Sequence, residues 1–413
     1  KKIYGKNNFK NNFIYYGWLK NKNNEIVDET MWVYYKNPKS YTGEDMLEIF
    51  CHGGILITEQ VFSTVLLSGA REALPGEFSK RAVLNGKMSL IKAEAVNEII
   101  KSSGKLSLKA SLNQITGNLN SKINDIKNYL TEISAFIEVE LDYPDDVQSD
   151  EDNILKKLYT IKNITYEMLK NADNGIKTVH GIKTSIIGKP NAGKSTLLNA
   201  LLRKERAIVT DIPGTTRDTI EEDLNISGIS LRIIDTAGIR ETEDIIEKIG
   251  VERSKKAIEE SDLIIFLIDN TTGITDEDKH LMDYIKRYPD KEVIYAVNKS
   301  DIITQKKYES TIETVFISSK NNEISELEKT IYNRLKKHIV TDNVSFTNIR
   351  QKTCAQRAYE HIENAIKSKE SGYPNDIIMF DIRKALESVL ELTGENYSDI
   401  LLEKIFSDFC VGK

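Results

Sequence analysis

Apolar residues step through the middle of the chain at helical spacing. Leu119, Ile123, Ile126, Leu130, Ile133 and Ile137 recur every three or four positions, the stripe of an amphipathic helix. Pro144 is expected to end that segment, because proline cannot continue the helical ladder. A second stripe, Ile154, Leu158, Ile161 and Met168, predicts another helix with Gly175 as its C-terminal cap. The texture before these stripes differs. Residues 1 to about 86 set aromatic and β-branched segments (Phe13–Leu19, Thr30–Tyr35, Met46–Cys51) among turns and one helical stretch near Thr58–Leu67, which predicts a small α/β or α+β domain. From Ile182 to about His338 short apolar runs alternate with helical or loop segments. The runs Thr184–Gly188, Leu231–Asp235, Leu263–Asp269, Val293–Val297 and Thr314–Ser318 read as strands of a doubly wound parallel sheet. From about Phe346 to Phe409 the pattern is helical again. The simplest organisation is an α/β domain over 1–86, a helical domain in two parts over 87–180 and 341–413, and a nucleotide-binding domain inserted over 181–340. Two separate helical domains would give the same texture.

Length and composition narrow this picture. A chain of 413 residues is too long for one ordinary domain. A formal charge of −6 is not that of a general nucleic-acid binder, although an acidic total can hide a local basic patch. Cys51, Cys354 and Cys410 are few, odd in number and widely spaced, which points to a reducing cytoplasm and not to a disulfide framework. No Cys/His group has zinc-ligand spacing. The longest apolar stretches, such as Leu263–Ile268, have buried-strand length, far short of the ~20 residues of a membrane span. No signal peptide is evident, and because the chain starts at Lys1 an N-terminal piece is expected to be missing.

The candidate chemistry lies in the alternating region. GKPNAGKS, Gly188 to Ser195, is a complete GxxxxGKS loop between a strand and a helix. Its backbone N–H groups close around phosphates, Lys194 reaches the β- and γ-phosphates, and the Ser195 hydroxyl ligates Mg²⁺. Asn191, Ala192, Gly193, Lys194, Ser195 and Thr196 are the expected contacts. Asp235-Thr236-Ala237-Gly238 follows an apolar strand, where an Asp holds Mg²⁺ through water and a Gly N–H meets the γ-phosphate. Asn298-Lys299-Ser300-Asp301 ends another strand. A carboxylate there accepts both N–H groups on the guanine edge, so Asp301 makes this a guanine site. Ser318-Ser319-Lys320 completes the base pocket with backbone contacts. Between the first two motifs runs Thr210-Asp211-Ile212-Pro213-Gly214-Thr215-Thr216-Arg217-Asp218. Thr216 is the expected closure over Mg²⁺ and γ-phosphate. Together these motifs define a GTPase.

How the enzyme hydrolyses GTP is not settled by these residues. The position after DTAG, where Ras-type enzymes carry a water-orienting Gln, is Ile239. Nothing marks Arg217 or Arg240 as an arginine finger. A cation and a water-orienting group are both still needed. The acids of Glu241-Thr242-Glu243-Asp244-Ile245-Ile246-Glu247 are candidates for the second, although most read as solvated acids starting a helix.

The whole chain resembles the MnmE (TrmE) family of tRNA-modification GTPases. The resemblance is carried by SYTGEDMLEIFCHGG (40–54), PGEFSKRAVLNGKMSLIKAEAV (75–96), GKPNAGKSTLLNALL, VTDIPGTTRD, DTAGIRETEDIIEKIG and the terminal FCVGK. It implies an N-terminal folate-binding α/β domain, a central helical domain and a Ras-like P-loop G domain inserted into the latter. It also implies K⁺ held by the Asn191 side chain and oxygens of Thr210, Ile212 and Thr215, with Glu247 as the water-orienting acid. The family works as a homodimer whose G domains meet during hydrolysis. With the flavoprotein MnmG, which carries FAD, it installs an aminomethyl or carboxymethylaminomethyl group on carbon 5 of the wobble uridine of certain tRNAs. The one-carbon unit comes from 5,10-methylenetetrahydrofolate or a formyl-tetrahydrofolate analogue. Folate contacts map to Glu48 and Lys87, with Lys413 as a further ligand contact. Taken as residues alone, Glu48 reads equally as a strand-end acid and Lys87 as a surface lysine beside an Asn-Gly turn. The family's usual opening strand, with an arginine at the folate site, does not precede Lys1, so that segment is expected to be truncated, disordered or lost.

Two other readings compete. An Era- or Der-like ribosome-assembly switch would append a small basic RNA-binding domain to its G domain, whereas about 180 residues precede the G domain here. A lipid-anchored switch would need a prenylation box. CVGK places Gly412 and Lys413 where that box wants aliphatic and permitted terminal residues. The tail is instead expected to fold back toward the folate region, packed down by Phe406 and Phe409. Cys410 is there either as a reactive group or as a small buried hydrophobe.

Overall fold

The computed structural model describes residues 9–116, 118–143, 151–205, 222–234, 247–302, 313–339, 345–396 and 399–409, with backbone alone at 118, 151, 204–205, 247–251 and 399–400. The chain opens with strands β1 (Ile14–Lys20), β2 (Ile26–Tyr35) and β3 (Met46–Phe50). Helices follow: α1 (Ile55–Leu67), α2 (Glu77–Leu84), α3 (Leu90–Lys101), α4 (Lys105–Ile115), α5 (Asn118–Asp142), α6 (Glu151–Lys170) and α7 (Ala172–His180). Next come β4 (Ile182–Ile187), α8 (Lys194–Glu205), β5 (Glu222–Ile226), β6 (Ile229–Ile233), α9 (Glu247–Glu260) and β7 (Leu263–Asp269). Then α10 (Asp276–Ile285), β8 (Glu292–Asn298), β9 (Thr314–Phe316) and α11 (Ser325–Leu335) complete the alternating region. Helices α12 (Ile349–Glu370), α13 (Asn375–Thr393) and α14 (Asp399–Ser407) close the described chain. Two compact units result, residues 1–97 with 386–413 and residues 98–385.

In the first unit, β1, β2 and β3 form an antiparallel sheet in that order. Alternation sends Leu19 and Trp32 inward, and Trp32 stacks on Tyr15 at 4.4 Å between ring centroids. The last described turn of the chain packs on the helices after the sheet. Phe406 and Phe409 are buried with Leu402 against Val83, Leu90 and Ala93. Gly76, at φ +63°, permits this: a Cβ there would sit 2.9 Å from Phe406 Cδ1 and 2.9 Å from Phe409 Cβ.

Glu77 at the start of α2 knits the same region. It accepts from Arg71 Nη2 at 2.6 Å, Arg81 Nη2 at 2.7 Å and the Leu74 amide at 2.8 Å. The Arg71 hydrogen bond is the main cause that brings its carboxyl down to about 2. A folded value below the unfolded one contributes stability at neutral pH that disappears as the carboxylate is protonated.

The second unit contains the helical stripes and a six-stranded sheet ordered β5-β6-β4-β7-β8-β9. The stripe Leu119 to Ile137 is buried along α5, and Ile154, Leu158, Ile161 and Met168 are buried along α6. Helix α5 ends at Asp142; Pro144 lies outside the described residues. Helix α6 packs on α12, braced by Lys162–Glu363 at 2.9 Å. Gly175 is not a cap. It lies inside α7, and a side chain there would collide with Ser345 Oγ and the Phe346 carbonyl, so the glycine serves close packing.

The sheet is mixed and not wholly parallel. β6, β4, β7, β8 and β9 run parallel, whereas β5 pairs antiparallel with β6. Ser227 at φ +53° and Gly228 at φ +93° form the two-residue hairpin turn that reverses the chain. β5 is an edge strand that buries just Leu224 and Ile226, too little apolar pattern to stand out in sequence. Buried on both faces, β7 is apolar from Leu263 to Ile268, as a central parallel strand requires, and ends in Asp269.

Glu77→Gln is expected to lower the thermal midpoint of the first unit at pH 7. The gap from the parent should narrow below pH 4.5 and close toward pH 2, because the stabilisation is lost as pH falls between these values. Circular dichroism melts at several pH values measure this; a gap constant with pH would refute it.

Candidate nucleotide site

Short, buried strands aim the site loops at one end of the sheet, beyond the last residues of its parallel strands. β4 delivers the loop Gly188–Ser195, and α8 begins at Lys194. Gly188 passes so close to β7 that a Cβ would collide with the Leu267 carbonyl. Asn191 adopts φ +61° and Gly193 φ +96°, which turns the chain sharply into the helix. The Leu197 amide reaches the Gly193 carbonyl at 2.8 Å, so the preceding amides stand at a helix start without intrahelical acceptors. Such a terminus favours phosphate. Lys194 Nζ donates to the carbonyls of Gly188 at 2.7 Å and Lys189 at 3.0 Å. Burial pushes its pKa down, and an incoming anion would relieve that cost. Ser195 and Thr196 are exposed at this helix start, where they suit a hydrated divalent cation between protein and phosphate.

Asn298 joins three loops. Its side chain is buried, Nδ2 donates to the Ala192 carbonyl at 2.8 Å, and Oδ1 accepts from the Ser319 amide at 3.0 Å. The missing Cβ of Gly193 makes room for Nδ2. Asp301 is exposed and accepts from Ser318 Oγ at 2.6 Å, the main cause that holds its carboxyl below the usual range. An ionised acceptor beside this loop is what recognition of two N–H donors requires. The motif residues Asn298, Lys299, Ser300, Asp301, Ser318, Ser319 and Lys320 thus meet the phosphate loop at one end of the sheet.

A further loop, after β7, was not identified from the motifs. Asp269 is buried, and burial alone would raise its pKa. Hydrogen bonds from Lys299 Nζ at 2.7 Å and from the Thr271 amide at 2.8 Å and hydroxyl at 2.6 Å prevail and hold it low. Asn270 donates to the Ile302 carbonyl at 2.9 Å, and Lys189 Nζ donates to Thr272 Oγ1. This loop braces the base-side and phosphate-side loops together. Its sequence signal was an Asp ending a buried strand beside the one that carries Asn298.

Several expected residues fall outside the described ones: Thr210, Asp211, Ile212, Pro213, Gly214, Thr215, Thr216, Asp235, Thr236, Ala237, Gly238, Cys410 and Lys413. Glu247 is the first residue of α9, and its side chain is likewise outside them. Among the described residues no cluster of three His, Cys, Asp or Glu side chains could hold a metal, and no helix is long and apolar enough to cross a membrane.

In the first unit, Glu48 accepts from Tyr35 Oη at 3.2 Å, and Lys87 Nζ donates to the Pro38 carbonyl at 2.9 Å. Asn85 Nδ2 donates to the Thr42 carbonyl at 2.8 Å, and a Cβ on Gly43 would lie 3.0 Å from Lys87 Cγ. The TGED and LNGK stretches, separate in sequence, are therefore clasped together in space.

Comparison with known proteins decides the family. The family model described as MnmE helical domain matches residues 90–410, and that described as GTP-binding protein TrmE N-terminus matches 1–87. The chain belongs to the MnmE family of tRNA modification GTPases. It is 56% identical over 407 residues to the tRNA modification GTPase MnmE of Petrotoga mobilis, covering 97% of this chain and 90% of that one. Against the MnmE of Thermotoga maritima it is 44% identical, with 96% and 90% covered. Among solved structures, Era from Aquifex aeolicus bound to GDP·AlF4− aligns at 30% identity over 44% of this chain and 66% of that chain, with a TM-score of 0.29. As a member of the MnmE family the chain is a GTPase, built from an N-terminal domain, a helical domain and a P-loop G domain.

Asn298→Ala should weaken nucleotide binding at least tenfold and destabilise the second unit by about 1–3 kcal/mol, the cost of removing partners from buried polar groups. Titration with a fluorescent GDP and urea unfolding measure the two effects. Unchanged affinity would show that the loops hold together without this side chain.

Proposed function

We propose that this chain is a K⁺-stimulated GTPase that acts with the flavoprotein MnmG on tRNA. Together they would install an aminomethyl or carboxymethylaminomethyl group at carbon 5 of the wobble uridine. The observation that carries the GTP half is the joining of Ala192, Asn298 and Ser319, with Asp301 held ionised beside them. The tRNA half rests on family membership, with matches along nearly the whole chain. That extent favours an MnmE-type role over an Era-like switch. The working arrangement is a cytoplasmic homodimer, with domains at 1–86, 87–180, 181–340 and 341–413.

The residue roles follow. The amides of Asn191 to Thr196 cradle phosphate, Lys194 neutralises it, and Asp301 reads guanine. Ser195, with Thr216, is suited to Mg²⁺ by its place at the start of α8. Asn191, exposed and in a left-handed conformation, would hold K⁺ with oxygens of Thr210, Ile212 and Thr215; amide and carbonyl oxygens are hard donors suited to an alkali cation. When bound, the two ions supply positive charge beside the phosphates. Glu247 orients the attacking water, and Thr210 to Thr216 and Asp235 to Gly238 close around the γ-phosphate. In the first unit Glu48 and Lys87, with Lys413, would receive the folate that supplies the one-carbon unit; Cys410 is either reactive there or a small hydrophobe.

Replacing K⁺ by Na⁺ is expected to slow GTP hydrolysis by about 10²-fold, the usual cost of losing one well-placed charge. Phosphate release in matched chloride buffers tests this, and equal rates would remove the cation from the reading. Glu247→Ala should cut turnover by about 10²-fold or more while leaving nucleotide affinity nearly intact. Persistent turnover would move the role to another acid of residues 241–246.

A further inference from the structure

The hairpin β5–β6 occupies a special place in the chain. β5 begins four residues after Asp218, the end of the PGTTRD loop, and β6 ends two residues before Asp235 of DTAG. The two loops proposed to sense the γ-phosphate are thus tied to one rigid two-stranded arm. The other end of that arm, its turn, lies away from the nucleotide. β6 runs parallel to β4 with Leu231 opposite Ile182, so the turn sits at the start of β4, whereas the phosphate loop follows its end. One strand of this length spans about 15–20 Å.

That remote turn is seated on the helical segment of the same unit. Ser103 Oγ lies 2.6 Å from Ser230 Oγ, and Asn225 Nδ2 donates to the Ser103 carbonyl at 3.0 Å. Asn225 Oδ1 meanwhile accepts from the Gly228 amide at 2.8 Å, so one side chain both shapes the turn and docks it. A Cβ on Gly104 would lie 2.7 Å from Asn225 Nδ2 and 2.9 Å from the Gly228 carbonyl. Leu106 packs against the apolar core of the sheet, and a Cβ on Gly228 would touch it at 3.4 Å. Gly104 has an extended backbone, φ −138° and ψ 154°, open to any residue. The glycine is therefore required by the hairpin against it and not by its own conformation.

We propose that Ser103, Gly104 and Leu106 are positioning residues for GTP hydrolysis. They seat the turn of the β5–β6 arm and thereby fix the strand ends, Glu222 and Ile233, from which the chain leads into the two loops. Their contacts described above are with the hairpin turn and the sheet core, at the start of β4 and away from the phosphate loop that follows its end, so their effect falls on the chemical step and not on binding. Small displacements of a catalytic group from a remote change are costly in rate. By the same contact, movement of the arm on hydrolysis would be felt by α4. This inference rests on the GTPase reading and is independent of K⁺, MnmG and folate.

The test uses the full chain with Gly104→Ser. Serine is a good helix N-cap, so α4 itself loses nothing, while the added Cβ displaces the hairpin turn. Single-turnover GTP hydrolysis is expected to slow by between about tenfold and 10²-fold, with affinity for a fluorescent GTP analogue within about twofold of the parent. A parental hydrolysis rate in a variant with an unchanged melting temperature would overturn the proposal, as would a loss confined to affinity. Should Gly104→Ser fail to fold, Ser103→Ala and Ser230→Ala delete one hydroxyl each. Each should slow hydrolysis, and the double variant should be no slower than the worse single one. Additive effects, or none, would overturn it. Parent and variants are compared in K⁺ and again in Na⁺. An unchanged ratio of variant to parent separates this proposal from the fate of the cation reading.

Discussion

The buried amide of Asn298 is the constraint on which the nucleotide site depends. It ends β8, donates to the phosphate loop at Ala192 and accepts from the loop after β9 at Ser319. Each loop is short, and each alone would have many conformations. Joined through one side chain, they have a common geometry before any ligand arrives, so binding costs less ordering. Gly193 is part of the same constraint, since a methyl group there would displace the amide nitrogen. Asp269 and Lys299 brace the arrangement from the neighbouring strand by a half-buried ion pair whose buried acid also accepts from Thr271.

The loops that the structure brings together at Asn298 were legible in the sequence as motifs. The Gly188–Ser195 loop, Asp301 and the Ser318–Ser319 turn carry the residue types and spacing that binding a phosphate or a purine edge would impose. The helical stripes of α5 and α6 were legible for a similar reason, since burial of one face imposes a period. The strands of the sheet were placed to within a few residues. The edge strand β5 was missed because half of it faces solvent. The Asp269 loop was missed because its partners lie 30 positions away in Lys299 and further still at Lys189, and no local period records them.

Gly175 shows how a correct residue can receive a wrong reason. Glycine after a helical stripe is ordinarily a cap, and the local sequence offered no other account. The reason lies in Ser345 and Phe346, which return to the helical segment after the whole G domain and press against α7. Gly76 is the same case in the first unit, where Phe406 and Phe409 occupy the space a side chain would need. Each glycine marks where a distant segment closes on its unit. In each case the segments that meet lie far apart in sequence, so the close approach leaves no local signal.

The contact at Gly104 belongs to this class but differs in what it joins. At Gly175 and Gly76 the absent side chain lets a fold close, and both partners are structural. At Gly104 one partner is the turn of an arm that lies in sequence between the two loops proposed to sense the γ-phosphate. A rigid hairpin transmits a displacement at its turn to its other end, since its ladder of Glu222–Ile233 to Ile226–Ile229 pairs permits little internal shear. Packed interiors deform little under load, so a shift at the seat is carried to the strand ends at the far side of the arm. A glycine whose backbone does not require it, pressed against such an arm, is therefore placed to control rate more than stability.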